Sequence, residues 1–334
     1  MEKAKESQPF FYGGQAVMEG IMMRGKKAFA MAVRRPDGEI QIINKPLSTL
    51  TTRYPFLKLP LIRGSVELVL SMKLGFGALS QSAEIAMEGE TEEEPSRFEK
   101  FLQDKLGDRL NKILMGISMV LAVIIALSLF MLLPAFLGSL INAPGALRGV
   151  AEGLVRIVIF VTYILVVSRA KDIQRVFQYH GAEHKAINCL ENNLPLNTEN
   201  VAASNRLHKR CGTSFMLVVM VITMILFMIV QIDGLWLRFA SRIVLLPVIA
   251  GISYEVSVKW AGRRDNWLVS AIIFPGMLLQ KLTTAEPDEG QIEVAITALN
   301  TVLEQENEPP ADTAPASEMP ADEATTVDAA VAET

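Results

Sequence analysis

The second half of the chain alternates long apolar runs with short polar or charged stretches. A helix that crosses the hydrocarbon core of a bilayer needs about 20 mostly apolar residues. By this criterion the pattern predicts four membrane-spanning helices, at residues 113–140, 150–167, 213–230 and 235–258. A fifth apolar run, at residues 267–279, is too short to span comfortably, and we expect it to be re-entrant or interfacial.

The first 55 residues predict a small cap that contains β-structure. Residues 28–33 and the mostly apolar residues 40–43 lie on either side of the turn Pro36-Asp37-Gly38, which predicts a β-hairpin. The preceding stretch, residues 12–25, contains four glycines but lacks the spacing of a phosphate-binding loop. Within this stretch we expect Glu19 and Arg24 to form a local ion pair.

The remaining segments divide by pattern and charge. Residues 56–112 predict an amphipathic helix (56–87) lying on the membrane or on the protein, an acidic linker (88–95) and a charged helix (97–111). Residues 113–282 form the predicted transmembrane domain, in which we expect Arg238 and Arg242 to snorkel or to contact lipid phosphates. An amphipathic helix at 283–305 and a disordered acidic tail at 306–334 follow. The predicted fold class is mainly α: a polytopic helical membrane protein with about four transmembrane helices and a small N-terminal β-containing cap.

Composition and charge place this protein at a membrane. Half of the residues are hydrophobic, and the mean hydropathy is +0.30. Thirteen acidic residues follow Lys281 without any Lys or Arg, so the rest of the chain carries a net +9 and suits anionic lipids. Basic residues concentrate in the loops at 168–212 and 259–264, which predicts cytoplasmic placement of those loops and of both termini. We expect no signal peptide. The expected partners are membrane lipids and unidentified proteins, and no nucleic acid is expected to bind.

The candidate chemistry lies in the loop at residues 168–212. All three histidines and both cysteines of the chain fall here, at His180, His184, Cys189, His208 and Cys211. His/Cys clusters of this kind are typical of metal sites. On a helix, His180 and His184 would lie on one face with their Cβ atoms about 6 Å apart, which suits two imidazoles on one metal ion. With Glu183 they match the H-x-x-E-H pattern of inverted zinc peptidases, in which the Glu activates water.

The sequence leaves the remaining ligands open. The candidates are His208 and Cys211, spaced H-x-x-C; Cys189 and Glu191, which are nearer in sequence; and Glu255. If both helix histidines bind together with His208 and Cys211, the site is four-coordinate and structural. If only three ligands bind, one position stays open and Glu183 is available as a general base. The alternative is a loop whose His and Cys side chains pack by ordinary hydrogen bonds without a metal.

Four motifs carry a resemblance to a known family. They are GGQAVMEGIMMRG at 13–25, YHGAEHK at 179–185, HKRCGTSF at 208–215 and PGMLLQKLTT at 275–284. In this order they resemble the YqhQ family of bacterial multi-pass membrane proteins, over residues 10–303. The resemblance implies a protein of the bacterial cytoplasmic (inner) membrane. The family is often labelled as predicted metal-dependent enzymes, a label inferred from the same His-rich motif, and the resemblance supplies no substrate.

Three functions follow as hypotheses. The first is an enzyme of hydrolase type at the cytoplasmic membrane face, dependent on zinc or another divalent transition metal, with Glu183 as general base. Its metal ligands would be His180, His184 and either His208 or Cys211. The second is a non-enzymatic membrane scaffold or regulatory protein with a structural metal site. The third, a transporter, is weaker because the predicted spans carry few ionisable residues near the middle of the bilayer.

Overall fold

A computed structural model describes residues 12–47, 54–88, 109–141, 145–230, 232, 234–260 and 266–307. Most of the acidic linker, the first part of the charged helix before residue 109 and the acidic tail from residue 308 lie outside the described residues. Within the described ranges the chain is mainly helical and carries an antiparallel sheet near its N-terminus. This architecture confirms the predicted fold class.

The N-terminal sheet has four antiparallel strands in the order β1-β2-β3-β4. The strands are β1 (Gly13–Val17), β2 (Gly20–Arg24), β3 (Ala28–Arg34) and β4 (Ile40–Pro46). The predicted hairpin is confirmed as β3 and β4, with Met31 opposite Ile43. The glycine-containing stretch before it forms a second hairpin, which the sequence pattern had not indicated because its glycines are poor strand formers.

The tight turn of this second hairpin separates two side chains that we had expected to pair. Glu19 lies in the turn between β1 and β2 with a φ of +48°, and its carboxylate binds Arg175 and the Tyr179 hydroxyl. Arg24 donates instead to Glu67, at 3.2 Å. The predicted local ion pair is therefore wrong, because both residues bind partners that are distant in sequence.

The residues that the structure describes form ten α-helices, numbered in chain order. They are α1 (Ile62–Ala86), α2 (Arg109–Leu127), α3 (Leu133–Leu140), α4 (Gly145–Val167), α5 (Lys171–Glu191), α6 (Thr198–Ala203), α7 (Gly212–Ile229), α8 (Leu235–Tyr254), α9 (Trp267–Thr283) and α10 (Glu289–Asn307). A 3₁₀ turn at Pro55–Lys58 precedes α1. Two π-helical stretches join or extend these helices, Ser128–Leu132 between α2 and α3 and Glu255–Trp260 after α8.

Within the described part of the chain, four helical segments are long and apolar enough to cross a membrane. They are Gly116–Leu140, Ala146–Val167, Gly212–Ile229 and Phe239–Val258. Each coincides with one of the four predicted spans. The apolar helix Val269–Thr283 is shorter than these four, and it packs against α7, where a Cβ on Gly276 would lie 2.7 Å from the Ser214 Cα.

Helices pack against both faces of the sheet. Successive strand residues point to opposite faces, and apolar residues occur on both. One face of the sheet contributes apolar residues such as Ile21 and Ala32 to a core shared with α5 and α10. Leu299 of α10 belongs to the same core. The other face packs Met31 and Val33 against α1. The sheet therefore holds α5, which carries the His motif, in a fixed position.

Helix α1 links the sheet to the transmembrane helices. Near its N-terminus the Ser65 hydroxyl donates to the Pro247 carbonyl of α8 at 2.7 Å. Near its C-terminus the Ser82 hydroxyl accepts from the Met18 backbone N–H at 3.2 Å. Between these contacts α1 exposes Val69 and Met72. The amphipathic helix predicted at 56–87 thus packs on the protein and keeps an apolar strip on its outer side.

The expectation that Arg242 snorkels or contacts lipid phosphates is wrong. Its side chain is only 2% exposed, and it binds Glu152 of α4. Glu152 also pairs with Arg156 one turn further along α4, at 3.3 Å. A carboxylate on a neighbouring span makes burial of the guanidinium less costly than an unpaired charge in the bilayer would be. The side chain of Arg238 lies outside the described residues.

Candidate metal centre

Helix α5 presents one face of the His motif to a cavity of about 400 Å³. His180, Glu183, His184 and Ile187 line this cavity, and their spacing of three, four and seven residues places them on one face of the helix. The opposite face of α5, including Tyr179 and Ala186, is buried in the core shared with α10. The packing of the apolar face thus fixes where the polar face points.

Three of the residues in this cavity come together closely. One ligand atom each from His180, His184 and Cys211 lies within 4.8 Å of the other two. Nε2 of His180 is 3.2 Å from the Cys211 Sγ, and the two imidazole rings have centroids 4.4 Å apart. We refer to these three residues as the candidate centre.

Backbone carbonyls orient both imidazoles of the candidate centre. Nδ1 of His180 lies 2.8 Å from the Thr283 carbonyl oxygen, and Nδ1 of His184 lies 2.6 Å from that of Arg206. A carbonyl only accepts, so each Nδ1 carries the proton and each Nε2 is left as a lone-pair donor facing the centre. Metal-binding histidines are usually held by such a contact on the second ring nitrogen.

The electrostatics of the second histidine also favour a ligand. Burial is the largest influence on His184 and lowers the pKa of its imidazole below the usual value. The imidazole therefore stays neutral at physiological pH, which is the form that coordinates a metal.

Cys211 is placed by the start of α7 and by a brace from α9. It immediately precedes α7, and its Sγ lies 3.2 Å from the Thr213 hydroxyl. The fully buried Gln280 of α9 accepts from the His208 N–H, donates to the His208 carbonyl and donates to the Ser214 hydroxyl. These three hydrogen bonds fix the turn that carries Cys211 against α9.

A close backbone approach explains the glycine within the His motif. The Ala285 N–H donates to the Phe177 carbonyl at 2.8 Å, which draws the segment after α9 onto α5. A Cβ on Gly181 would lie 2.1 Å from the Ala285 carbonyl oxygen. Glycine at this position, although a weak helix former, lets the Thr283 carbonyl come within reach of His180.

Glu183 lies buried beneath strand β1. Glu183 is 5% exposed, and a Cβ on Gly14 would lie 2.9 Å from the Glu183 Cδ. Burial raises the pKa of the Glu183 carboxyl to about 7, although His180 and the Gly14 backbone N–H favour its ionised form. A carboxyl with such a pKa both accepts and releases a proton near neutral pH, as a general base requires.

The structure places the other predicted ligands differently. His208 turns its Nε2 towards Glu191, at 3.3 Å, and Arg210 also binds Glu191. Burial opposes ionisation of Glu191, but the hydrogen bonds from His208 and Arg210 outweigh it and lower the pKa of the carboxyl. The His208 ring centroid is 5.7 Å from that of His184. Four-ligand binding that includes His208 stays a prediction.

The two remaining candidates lie in other contacts. The buried Cys189 thiol faces the carbonyls of Leu194 and Pro195. Glu255 binds Arg63 on α1, with Nε to Oε1 at 2.6 Å. Both residues thus have partners outside the candidate centre.

Several residues that shape the site escaped sequence reasoning. The carbonyls of Thr283 and Arg206 that contact the two imidazoles are backbone groups, which every residue has. A pattern of side chains therefore cannot predict these contacts. Gln280 and Gly14 lie within two of the motifs that carry the family resemblance. Their membership of those motifs is the one sequence signal for their structural roles.

The donor set fits a transition metal. Imidazole nitrogen and thiolate sulfur suit zinc, copper and iron, whereas magnesium and calcium prefer oxygen ligands. The three donors already lie close together, and both histidines are held in the tautomer that coordinates through Nε2. The same 3.2 Å contact between His180 and Cys211 is also compatible with a hydrogen bond between imidazole and thiol.

Comparison with known proteins places the chain in a family. The family model described as "Protein of unknown function (DUF1385)" matches residues 59–305. The chain is 37% identical over 306 residues to "Uncharacterized protein YqhQ" of Bacillus subtilis (strain 168), which covers 91% of this chain and 95% of that protein. No solved structure matches the chain significantly. The chain therefore belongs to the DUF1385 family, and its resemblance to YqhQ is confirmed.

Proposed function

We propose that this protein is a metal-dependent enzyme of hydrolase type that acts at the cytoplasmic face of the bacterial inner membrane. The observation that carries the proposal is the candidate centre, in which two oriented imidazoles and a thiol converge within 4.8 Å in a cavity that Glu183 also lines. Zinc is the expected metal, and another divalent transition metal is the alternative.

The ligand count favours a catalytic site. Three protein ligands leave a coordination position open, which distinguishes catalytic zinc sites from closed four-ligand structural sites. A divalent metal in such a position acts as a Lewis acid that polarises a carbonyl or phosphoryl oxygen. The cavity of about 400 Å³ beside the centre is large enough for the reacting part of a substrate.

The chain's own residues have separable roles in this proposal. His180, His184 and Cys211 hold the metal, while the carbonyls of Thr283 and Arg206 keep both imidazoles oriented. Glu183 is the general base, and burial raises the pKa of its carboxyl to about 7, in the range that general-base catalysis near neutral pH requires. The sheet shields Glu183 from bulk water through Gly14.

The position of the centre in the chain supports action at a membrane surface. Cys211 immediately precedes the apolar span Gly212–Ile229, so the centre lies at the end of a segment long and apolar enough to cross a membrane. The basic residues in the segment between α4 and α7 favour the cytoplasmic side.

Separation of metal binding from catalysis tests the proposal. In cells that lack the native gene, Glu183→Gln should fail to restore the function that the wild type restores, while the purified variant keeps its metal and its thermal unfolding midpoint. His184→Ala should lose both function and metal. If Glu183→Gln restores function fully while His184→Ala loses abundance, the protein is a scaffold or regulator with a structural metal, and the enzyme proposal fails.

A second candidate function follows from the His180 and Cys211 contact. A thiol at a helix N-terminus, 3.2 Å from an imidazole, has the arrangement of a cysteine nucleophile with its base. Alkylation by iodoacetamide separates the two candidates. Metal ligation predicts that a chelator accelerates modification of Cys211, whereas a nucleophilic thiol should react at the same rate with and without the chelator.

A further inference from the structure

A second cavity, here called the membrane cavity, lies among the spanning helices. It has a volume of about 490 Å³ and is lined from α1, α2 with its π-helical extension, α4, α7 and α8. Most of its lining is apolar, with Phe130, Phe160, Met220, Phe227 and Ile249 among the larger side chains. Met72 and Leu246 on its lining are exposed, so the membrane cavity opens on the outer surface of the helices, where lipid chains lie.

Arg156 is the single charged side chain among the described residues that line the membrane cavity. It lies ten residues after Ala146 and eleven before Val167, the ends of its apolar segment. At 1.5 Å per residue this is about 15 Å from each end, which is the middle of a hydrocarbon core about 30 Å thick. A charge at that depth is costly and usually marks a functional position.

The contacts of Arg156 satisfy only part of its guanidinium. Nε donates to the Phe130 carbonyl at 3.0 Å, an acceptor that is free because Pro134, four residues later, has no N–H. Nη2 donates to Glu152 at 3.3 Å. The side chain is 9% exposed, and its buried Nη1 has no hydrogen-bond partner among the described residues.

The charges around Arg156 do not balance. Its carboxylate partner, Glu152, also binds Arg242, with Nη2 and Oε2 2.5 Å apart. Among the side chains that the structure describes, two guanidinium groups therefore share one carboxylate, and these three groups together carry a net charge of +1 in a region of low dielectric. Such a cluster is stabilised by one further anion, and a buried guanidinium N–H without a partner is an open donor for it.

We propose that the membrane cavity binds a fatty acid, with the carboxylate on Arg156 and the acyl chain along the apolar lining. A single excess positive charge matches a monoanion, and a single chain suits a cavity of this volume. A phospholipid headgroup needs further polar partners, and Thr223, the one hydroxyl among the described lining residues, already donates to the Val219 carbonyl. The proposal does not depend on the candidate centre or on the proposed function.

Binding of radiolabelled palmitate to the full-length protein in nanodiscs tests this site. We expect about one palmitate per wild-type chain and an affinity at least tenfold lower in Arg156→Gln, because the charge-assisted hydrogen bond is lost. Arg156→Gln leaves the Glu152 and Arg242 pair intact and balanced, so the variant should fold. The uncharged methyl ester of palmitate should not compete.

A second pair of variants tests the cavity without changing its charge. Val219→Trp should fill the membrane cavity and abolish palmitate binding, whereas Val158→Trp should bind palmitate like the wild type. Val158 is on the same helix as Arg156 but is 64% exposed and does not line the cavity. The proposal is overturned if the methyl ester competes as well as palmitate, if Arg156→Gln and Val219→Trp both bind like the wild type, or if phosphatidylglycerol displaces palmitate at equal concentration.

Discussion

At the scale of single residues, close contacts account for the His motif. Gly181 allows a carbonyl of the segment after α9 to approach α5, and Gly14 allows β1 to lie over Glu183. The two imidazoles are then oriented by main-chain oxygens that depend on this approach. Small residues at these positions thus have a direct effect on the geometry of the candidate centre.

Substitution of Gly181 by alanine should be destabilising. The added Cβ would meet the Ala285 carbonyl oxygen at 2.1 Å. We expect a loss of about 2 kcal/mol in the free energy of unfolding, since overpacking outweighs the helix propensity gained, which is about 1 kcal/mol. Thermal unfolding in detergent measures this. Gly77→Ala is the matched control, because its Cβ would point into open space, and it should be neutral or slightly stabilising. Equal midpoints for the two variants would contradict the close approach.

Single residues also mark where sequence reasoning stopped. The spacing of His180, Glu183 and His184 predicted one helix face, and the structure has that face. The partners of Glu19 and Arg242 could not be predicted, because they lie 156 and 90 residues away in the chain. A charged residue finds its partner through the fold, and local spacing does not encode that choice.

At the scale of elements, α9 and α10 hold the candidate centre from outside the His/Cys loop. Helix α9 braces the turn before α7 through Gln280, and α10 fills the core behind α5. The four spans were predictable because a long apolar run has few alternatives. The hairpin of β1 and β2 was not, because Gly13, Gly14 and Gly20 weaken the strand signal. Of these glycines, Gly14 and Gly20 allow neighbouring atoms to pack closely.

Loss of the Gln280 brace should disturb the site as well as the fold. Gln280→Leu leaves the His208 N–H and carbonyl buried without partners, which costs about 3 kcal/mol. The turn carrying Cys211 should shift, so we also expect metal affinity to fall at least tenfold. Thermal unfolding and metal titration check both effects. Gln174→Leu, at an exposed position on α5, is the control and should change neither. Unchanged metal affinity in a folded Gln280→Leu protein would refute the bracing role.

Packing of α10 should contribute strongly to stability. Leu299 is fully buried against the sheet and α5, so Leu299→Ala should cost about 3 kcal/mol in the free energy of unfolding. Leu194→Ala makes the same change at a residue that is 44% exposed, and it should cost less than about 1 kcal/mol. Comparable losses in the two variants would show that α10 does not pack as described.

At the scale of the whole molecule, the described residues contain four membrane-capable helices and a sheet that packs against α5. The candidate centre lies at the N-terminal end of one of these helices, α7. The orientation of these spans stays a prediction from loop charge. Asp233→Cys, between α7 and α8, should react with a membrane-impermeant maleimide on intact cells. Ala170→Cys, between α4 and α5, should react only after permeabilisation. The native Cys189 and Cys211 are buried, so background labelling should be low. The reverse labelling pattern would place the candidate centre outside the cytoplasm.

Metal content tests the central claim most directly. The full-length protein, purified without chelators or metal-binding tags, should carry about one zinc or other transition-metal ion per chain by elemental analysis. Cys189→Ser, which alters the cysteine outside the candidate centre, should keep that metal. Cys211→Ser and the His180→Ala/His184→Ala double variant should lose at least nine-tenths of it. No metal in the wild type, or equal metal in the double variant, would contradict the account and leave the His/Cys cluster as packing.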